Sequence, residues 1–231
     1  MNDLAQGVLE ATRLLLWGDR ELWAIVGRTL TISGLATFFA MMVGVPAGYA
    51  LARGRFRGRT ALLALMNTGM GMPPVVVGLI VWLLLTRSGP FGGLELIYTR
   101  TAMVLAQFLI AAPLVVGFTA ASVQALPPQL PDLLTSLGAG RLRTLWLLSG
   151  EARLGLLAAV MAGFGAIVSE VGASMTVGGN LRGSTRVLTT AIVTETGRGN
   201  LSVALALGLV LLLLAFMVNA ALTLLQQRRP H

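Results

Sequence analysis

Five stretches of this chain, roughly 23–51, 61–85, 101–123, 154–177 and 201–225, are almost continuously apolar. A helix needs ~20 apolar residues to cross the hydrocarbon core of a bilayer, and each stretch reaches that length. In lipid the backbone must satisfy its own polar groups, which leaves helices and closed barrels. Barrel strands alternate apolar and polar residues, and these runs do not. The expectation is an all-α integral membrane protein, with about five transmembrane helices in one domain over residues 22–226. Composition agrees. Of 231 residues, 55% are hydrophobic and 11% charged, more apolar surface than a soluble domain of this size can hide.

Ahead of the first run, residues 1–20 read as an amphipathic segment. Leu4, Val8, Ala11 and Leu15 share one helical face, with Asp3, Glu10 and Arg13 as polar residues. Such a helix lies in the membrane surface. It makes a poor signal peptide, because acidic residues stand where a basic n-region belongs.

Net charge is +8, and every basic residue is arginine. A nucleic-acid binder can be this basic, but here the arginines fall mainly between apolar runs, as topology markers do. Arg53, Arg55, Arg57 and Arg59 crowd one short loop. The positive-inside rule places that loop in the cytoplasm, with the N-terminus outside and the C-terminus inside. The chain has no cysteine, so disulfides and thiol chemistry are excluded, and its one histidine is His231. The carboxylates are scattered, and no metal site is expected.

Three runs carry residues that disturb a helix. Pro46 follows Gly44, predicting a kink near the end of the first. Asn67 to Pro74, with Gly69, Gly71, Pro73 and Pro74, predicts a break in the second. A break at membrane depth is tolerated where it packs in protein or lines a wet cavity, so this one reads either as a packing kink or as part of a pathway. Glu170 is the one carboxylate well inside an apolar run, at a cost of ~3 kcal/mol or more unless paired or hydrated. It either braces a neighbouring helix or serves a pathway. Outside the fourth run, residues 178–200 form a polar segment in which Arg182 and Arg186, among glycines and hydroxyls, offer charge to an anion. The alternative is an ordinary solvated loop.

Residues 124–153 join two runs with far more chain than a connection needs. Pro127, Pro128 and Pro131 precede Asp132, then Gly138, Gly140, Arg141, Arg143 and Arg153. The stretch reads as a short helix from Pro131, a glycine turn and a second short helix. Asp132 lies near the first helix's positive end, and Gly138 tolerates the positive φ of the turn.

This segment resembles the cytoplasmic coupling loop of ABC importer permeases, whose pattern is Glu-Ala-Ala-x-x-x-Gly, a spacer and Ile-x-Leu-Pro. Asp132 replaces the glutamate, Leu133 and Leu134 the alanines, and Gly150-Glu151 stands where Leu-Pro closes the motif. The last two-thirds of the chain resembles the tungstate-type branch, relatives of the molybdate permeases. The resemblance rests on Met72-Pro-Pro-Val-Val-Val-Gly-Leu79, Glu151-Ala-Arg-Leu-Gly-Leu-Leu157, Ser169-Glu-Val-Gly-Ala173, Val177-Gly-Gly-Asn-Leu-Arg-Gly183 and Thr185-Arg-Val-Leu-Thr-Thr190.

The resemblance implies a type I importer permease fold, a homodimer around a central pathway and an oxyanion substrate, tungstate first, with molybdate or sulfate as alternatives. It implies two cytoplasmic ATPase subunits gripping Asp132, Thr135, Ser136, Leu137, Gly138, Ala139 and Arg141. It places Met72, Pro73, Pro74, Glu170 and Met175 on the pathway. Gly179, Asn180, Arg182 and Arg186 would meet the anion or the extracytoplasmic solute-binding protein that delivers it. ATP and Mg would sit on the ATPase partner, with no cofactor in this chain, which lacks a Gly-Lys-Ser/Thr phosphate loop and has no lysine. The chain would not itself be an enzyme. A secondary transporter using Glu170 as an ion site is the competing class. A membrane enzyme lacks a nucleophile–base cluster here.

Overall fold

In the computed structural model, Leu9 and residues 20–227 are described. The amphipathic segment expected over residues 1–20 falls almost wholly outside them. Among the described residues the chain is helical throughout, with no strand. The helices are α1 (Arg20–Arg53), α2 (Arg59–Met70), α3 (Pro74–Leu85), α4 (Arg100–Gln124), α5 (Leu130–Ser136), α6 (Arg141–Glu151), α7 (Arg153–Val168), α8 (Gly172–Gly178), α9 (Leu188–Gly197) and α10 (Leu201–Gln227).

Helices α1, α4 and α10 are each long and apolar enough to cross a membrane alone. The second apolar run is a bent pair, α2 and α3, meeting at 105° across Gly71–Pro73. Pro74 is the first residue of α3, where its missing N–H costs nothing. The fourth run differs from the single helix expected over 154–177. Helix α7 ends at Val168, and α8 begins only at Gly172. Glu170 turns its carboxylate back onto the amides that follow and so starts a new helix. Instead, α7 is paired with α6 across a 79° bend. The five runs thus become three continuous spans and two bent pairs, the break expected in the second run among them. The polar segment after the fourth run is not wholly a solvated loop either: α9 occupies its second half and buries Leu188, Thr189, Thr190 and Ala191. Pro46 lies inside α1, which continues past it to Arg53.

The scaffold is the pairing of α1 with α4. Lipid tails are as apolar as leucine, so spans associate through close packing rather than a hydrophobic drive. The buried face of α1 repeats every three or four residues through Ile25, Thr29, Ile32, Ser33, Ala36, Thr37, Ala40, Gly44 and Gly48, a stripe dominated by small residues. A β-carbon at Gly48 would lie 2.6 Å from Cβ of Thr119 and 2.7 Å from the Val116 carbonyl oxygen. The Gly44-x-x-x-Gly48 spacing lets the two backbones approach this closely. A second core gathers Leu22, Ile25, Phe164, Val168, Leu188, Leu207, Val210 and Leu214, tying α10 to α1, α7 and α9.

Two of the four crowded arginines act on helix ends. Arg53 donates from Nη2 to the carbonyls of Val123 (3.0 Å) and Leu126 (3.2 Å), and Arg59 donates from Nε to Leu51 (2.7 Å). Each binds carbonyls at or just past the C-terminal end of a helix, the pole where a cation is favoured.

Gly48→Ala should lower the melting temperature of the detergent-solubilised protein, by overpacking worth about 1–3 kcal/mol. Gly27→Ala, where an added β-carbon meets nothing within 4 Å, should not. Equal melting of the two variants would refute the close approach of α1 to α4.

Candidate functional site

The residues singled out from sequence gather in three places: one end of the helices, the level of the two helix breaks, and the opposite end.

At the first end, α5 and α6 form a hairpin about Gly138. Gly138 has φ +83°, and the turn closes with Ala139 N–H donating to the Leu134 carbonyl and Gly138 N–H to that of Thr135, both 3.0 Å. This paired ending needs a left-handed residue, which glycine supplies without a β-carbon clash. Thr135 and Ser136 spend their hydroxyls on their own helix, donating to Pro131 and Asp132. Asp132 is exposed in the first turn of α5. Helix α5 buries no residue of its own, whereas α6 is anchored by Thr144 and Leu148. Leu137, Leu142 and Trp146 are 76%, 82% and 74% exposed. Large apolar side chains this exposed on a short helical hairpin suit a surface that a partner or the lipid interface covers. Arg141 opens α6. Between this hairpin and α1, Tyr49, Pro131, Thr135, Ala139 and Thr144 line a cleft of about 300 Å³.

At mid-level the two breaks lie side by side. Helices α3 and α8 start next to each other: a β-carbon at Gly172 would meet Cγ2 of Val75 at 2.3 Å, and one at Gly78 would meet Cα of Ala173 at 2.5 Å. Met72 and Pro73 are exposed at the break, Pro74 and Met175 half-buried. Glu170 is 7% exposed. Its Oε1 accepts from Ala173 N–H (2.9 Å) and its Oε2 from Ser174 N–H (3.1 Å). Both oxygens thus serve amides that the start of α8 leaves unpaired, and the negative charge sits at that helix's positive pole. In this geometry the carboxylate braces a helix start.

Glu170 also anchors a chain of buried polar contacts. Ser33 donates to Oε1 of Gln107 (3.1 Å), and Gln107 Nε2 donates to Ser174 Oγ (3.3 Å). Thr189 Oγ1 donates to the Glu170 carbonyl (3.0 Å), and Leu188 N–H donates to Thr29 Oγ1 (3.0 Å). Helices α1, α4, α8 and α9 are thereby joined through groups that burial would otherwise penalise. Of this set the sequence singles out Glu170, as the one carboxylate well inside an apolar run; Gln107 is an amide inside the third run, but nothing local says what it meets. Its serine and threonine partners look like ordinary membrane-helix residues until their distance is known.

At the opposite end, residues 179–187 fold as a tight loop between α8 and α9. Gly179 has φ +66°, with the Tyr98 ring against it, and Asn180 has φ +50°. The Leu181 carbonyl accepts from the amides of Ser184, Thr185 and Arg186. Asn180 bridges the loop to α9, donating to Thr194 Oγ1 (2.6 Å) and accepting from Arg186 Nε (3.3 Å). Two arginines from elsewhere grip its carbonyls: Arg28 Nε donates to Arg186 (3.0 Å) and Arg100 Nε to Ser184 (2.9 Å). Arg182 pairs through two nitrogens with both oxygens of Glu21. Arg28 reads from sequence as a flanking charge, yet it lies 9% exposed within α1.

A bilayer-length helical scaffold with adjacent helix breaks partway along it and an exposed apolar hairpin at one end defines a polytopic membrane protein. Its fold is that of ABC importer permeases: the structure superposes on an inward-facing MetNI methionine ABC transporter with a TM-score of 0.71 at 20% identity, covering 90% of this chain and 94% of that one. Residues 44–230 match the family described as binding-protein-dependent transport system inner membrane component, and the chain belongs to it. It is 37% identical to the tungstate uptake system permease protein TupB of Peptoclostridium acidaminophilum, over 98% of this chain and all of that one. It is 38% identical to a probable anion ABC transporter permease protein of Haloferax volcanii, covering 92% and 95%. The molybdenum transport system permease protein ModB of Escherichia coli K12 is 27% identical, covering 84% and 91%.

Glu170→Ala leaves two buried amides without an acceptor and should cost about 1–3 kcal/mol. Glu170→Gln keeps one carbonyl acceptor and should fall between Glu170→Ala and the natural protein in thermal melts. An alanine variant as stable as the natural protein would refute the bracing role.

Proposed function

We propose that this chain is the membrane-spanning subunit of an ATP-driven, binding-protein-dependent importer of tungstate. The full-length match to a tungstate uptake permease carries the reading. The projecting α5–α6 hairpin, with its uncovered Leu137, Leu142 and Trp146, supports it, because such a segment suits a partner that pulls.

In this reading the chain works as a homodimer. Two cytoplasmic ATPase subunits hold Asp132, Thr135, Ser136, Leu137, Gly138, Ala139 and Arg141, and bring the ATP and Mg that this chain does not bind. Residues 53–59 and the C-terminus face the cytoplasm, the N-terminus and residues 179–187 the outside. There Gly179, Asn180, Arg182 and Arg186 meet the anion or the solute-binding protein that delivers it. Met72, Pro73, Pro74, Glu170 and Met175 border the pathway, with Glu170 holding the α8 start in place beside it. Closure of the ATPases moves the hairpin, and the joined helices α1, α4, α8 and α9 turn as one body. Passage requires donors that hold the oxyanion weakly enough to release it.

The test is uptake of labelled tungstate, molybdate and sulfate by vesicles holding the chain with its ATPase and binding protein. ATP-dependent uptake, with tungstate taken at the lowest concentration, is expected. Gly138→Asp should insert normally and abolish uptake. Uptake that persists without ATP on a proton gradient would overturn the reading in favour of a secondary transporter, and preference for molybdate or sulfate would reassign the substrate.

A further inference from the structure

The start of α1, the 179–187 loop and α9 enclose a cleft of about 320 Å³. Arg182, Arg186 and Arg198 line it above a floor that includes Leu22, Ile25 and Leu207. Two of these cations are matched: Arg182 pairs with Glu21, and Arg198 Nη1 lies 2.9 Å from Oε1 of Glu195, which Asn200 also holds. Arg186 has no carboxylate at ion-pair distance among the described residues; its Nε donates to the Asn180 amide oxygen. Behind it lies Arg28, buried, with no carboxylate at ion-pair distance among the described residues and its Nε on the Arg186 carbonyl; the Glu21 charge acts on both arginines from further away. Among the described residues the lining thus sets three guanidinium groups against two carboxylates, Glu21 and Glu195, with Arg28 behind Arg186, and this positive balance sits beside apolar side chains that weaken screening.

We propose that this cleft binds a tetrahedral dianion, with Arg186 as its principal cation and Arg182 and Arg198 at its rim. Guanidinium groups suit such an ion because their paired N–H donors match two oxygens at once. The site raises the local concentration of the dianion at this end of the protein rather than forming part of the passage. The choice of tungstate as the ion rests on the proposed function; the cleft and its unbalanced charge do not.

The experiment is equilibrium dialysis of the full chain in lipid nanodiscs against sodium tungstate, with bound tungsten counted by mass spectrometry. One ion per chain is expected. Arg186→Gln, whose amide can still reach Asn180, should weaken binding about tenfold or more without lowering the melting temperature, and Arg55→Gln at the opposite end should bind normally. No retention of tungstate at millimolar concentration, or undiminished retention by Arg186→Gln, would overturn the proposal. So would an Arg186→Gln chain that keeps the ion but loses the solute-binding protein, since the occupant would then be a protein carboxylate. ATP-dependent tungstate uptake by the natural complex separates the two claims. Uptake without retention refutes the cleft and leaves the importer standing; retention without uptake of any oxyanion does the reverse.

Discussion

The Glu170 carboxylate lies where water barely reaches, and it is held there by the two amides it accepts. A bare carboxylate at that depth would be expelled or neutralised. Paired with the unsatisfied start of a helix, it becomes the means by which a membrane span can stop and restart. Much of the surrounding arrangement depends on that restart. Helix α8 brings Gly172 and Ala173 against Val75 and Gly78 of α3, which sets the two breaks side by side. Ser174, on the same helix, receives Gln107 and so links α8 to α4 and, through Ser33, to α1.

Close packing and polar linkage divide the labour along α1. Toward one end, Gly44 and Gly48 bring its backbone against α4. Nearer the middle, Ser33 and Thr29 reach Gln107 and the start of α9. Toward the other end, Arg28 holds the 179–187 loop by a carbonyl. Helices joined in this way form one connected body, whereas α5 buries none of its own residues.

The arginines illustrate how one residue type serves different needs. Arg53 and Arg59 close the C-terminal ends of helices, and Arg28 and Arg100 hold backbone carbonyls in a loop. Each of these guanidiniums rests on carbonyl oxygens, with no carboxylate at ion-pair distance among the described residues. Positive charge predominates overall, with a net charge of +8 on a chain so poor in acidic residues.

Much of this architecture was legible in the residues alone. Runs of ~20 apolar residues mean helices in lipid, the Pro73-Pro74 pair ends one of them, and Gly138 turns a hairpin, because each of these effects acts within a few residues of its cause. The motifs around Met72, Ser169 and Val177 were enough to suggest the family. The break at Ser169–Val171 was not foreseen, because a glutamate favours continued helix unless its carboxylate finds better use at a helix start. Nor were the roles of Ser33, Gln107, Arg28 and Glu21, whose partners lie 67 to 161 residues away in the chain. Local chemistry decides what a segment becomes; only the packing of distant segments decides which buried donor meets which acceptor, and that is a property of the tertiary structure.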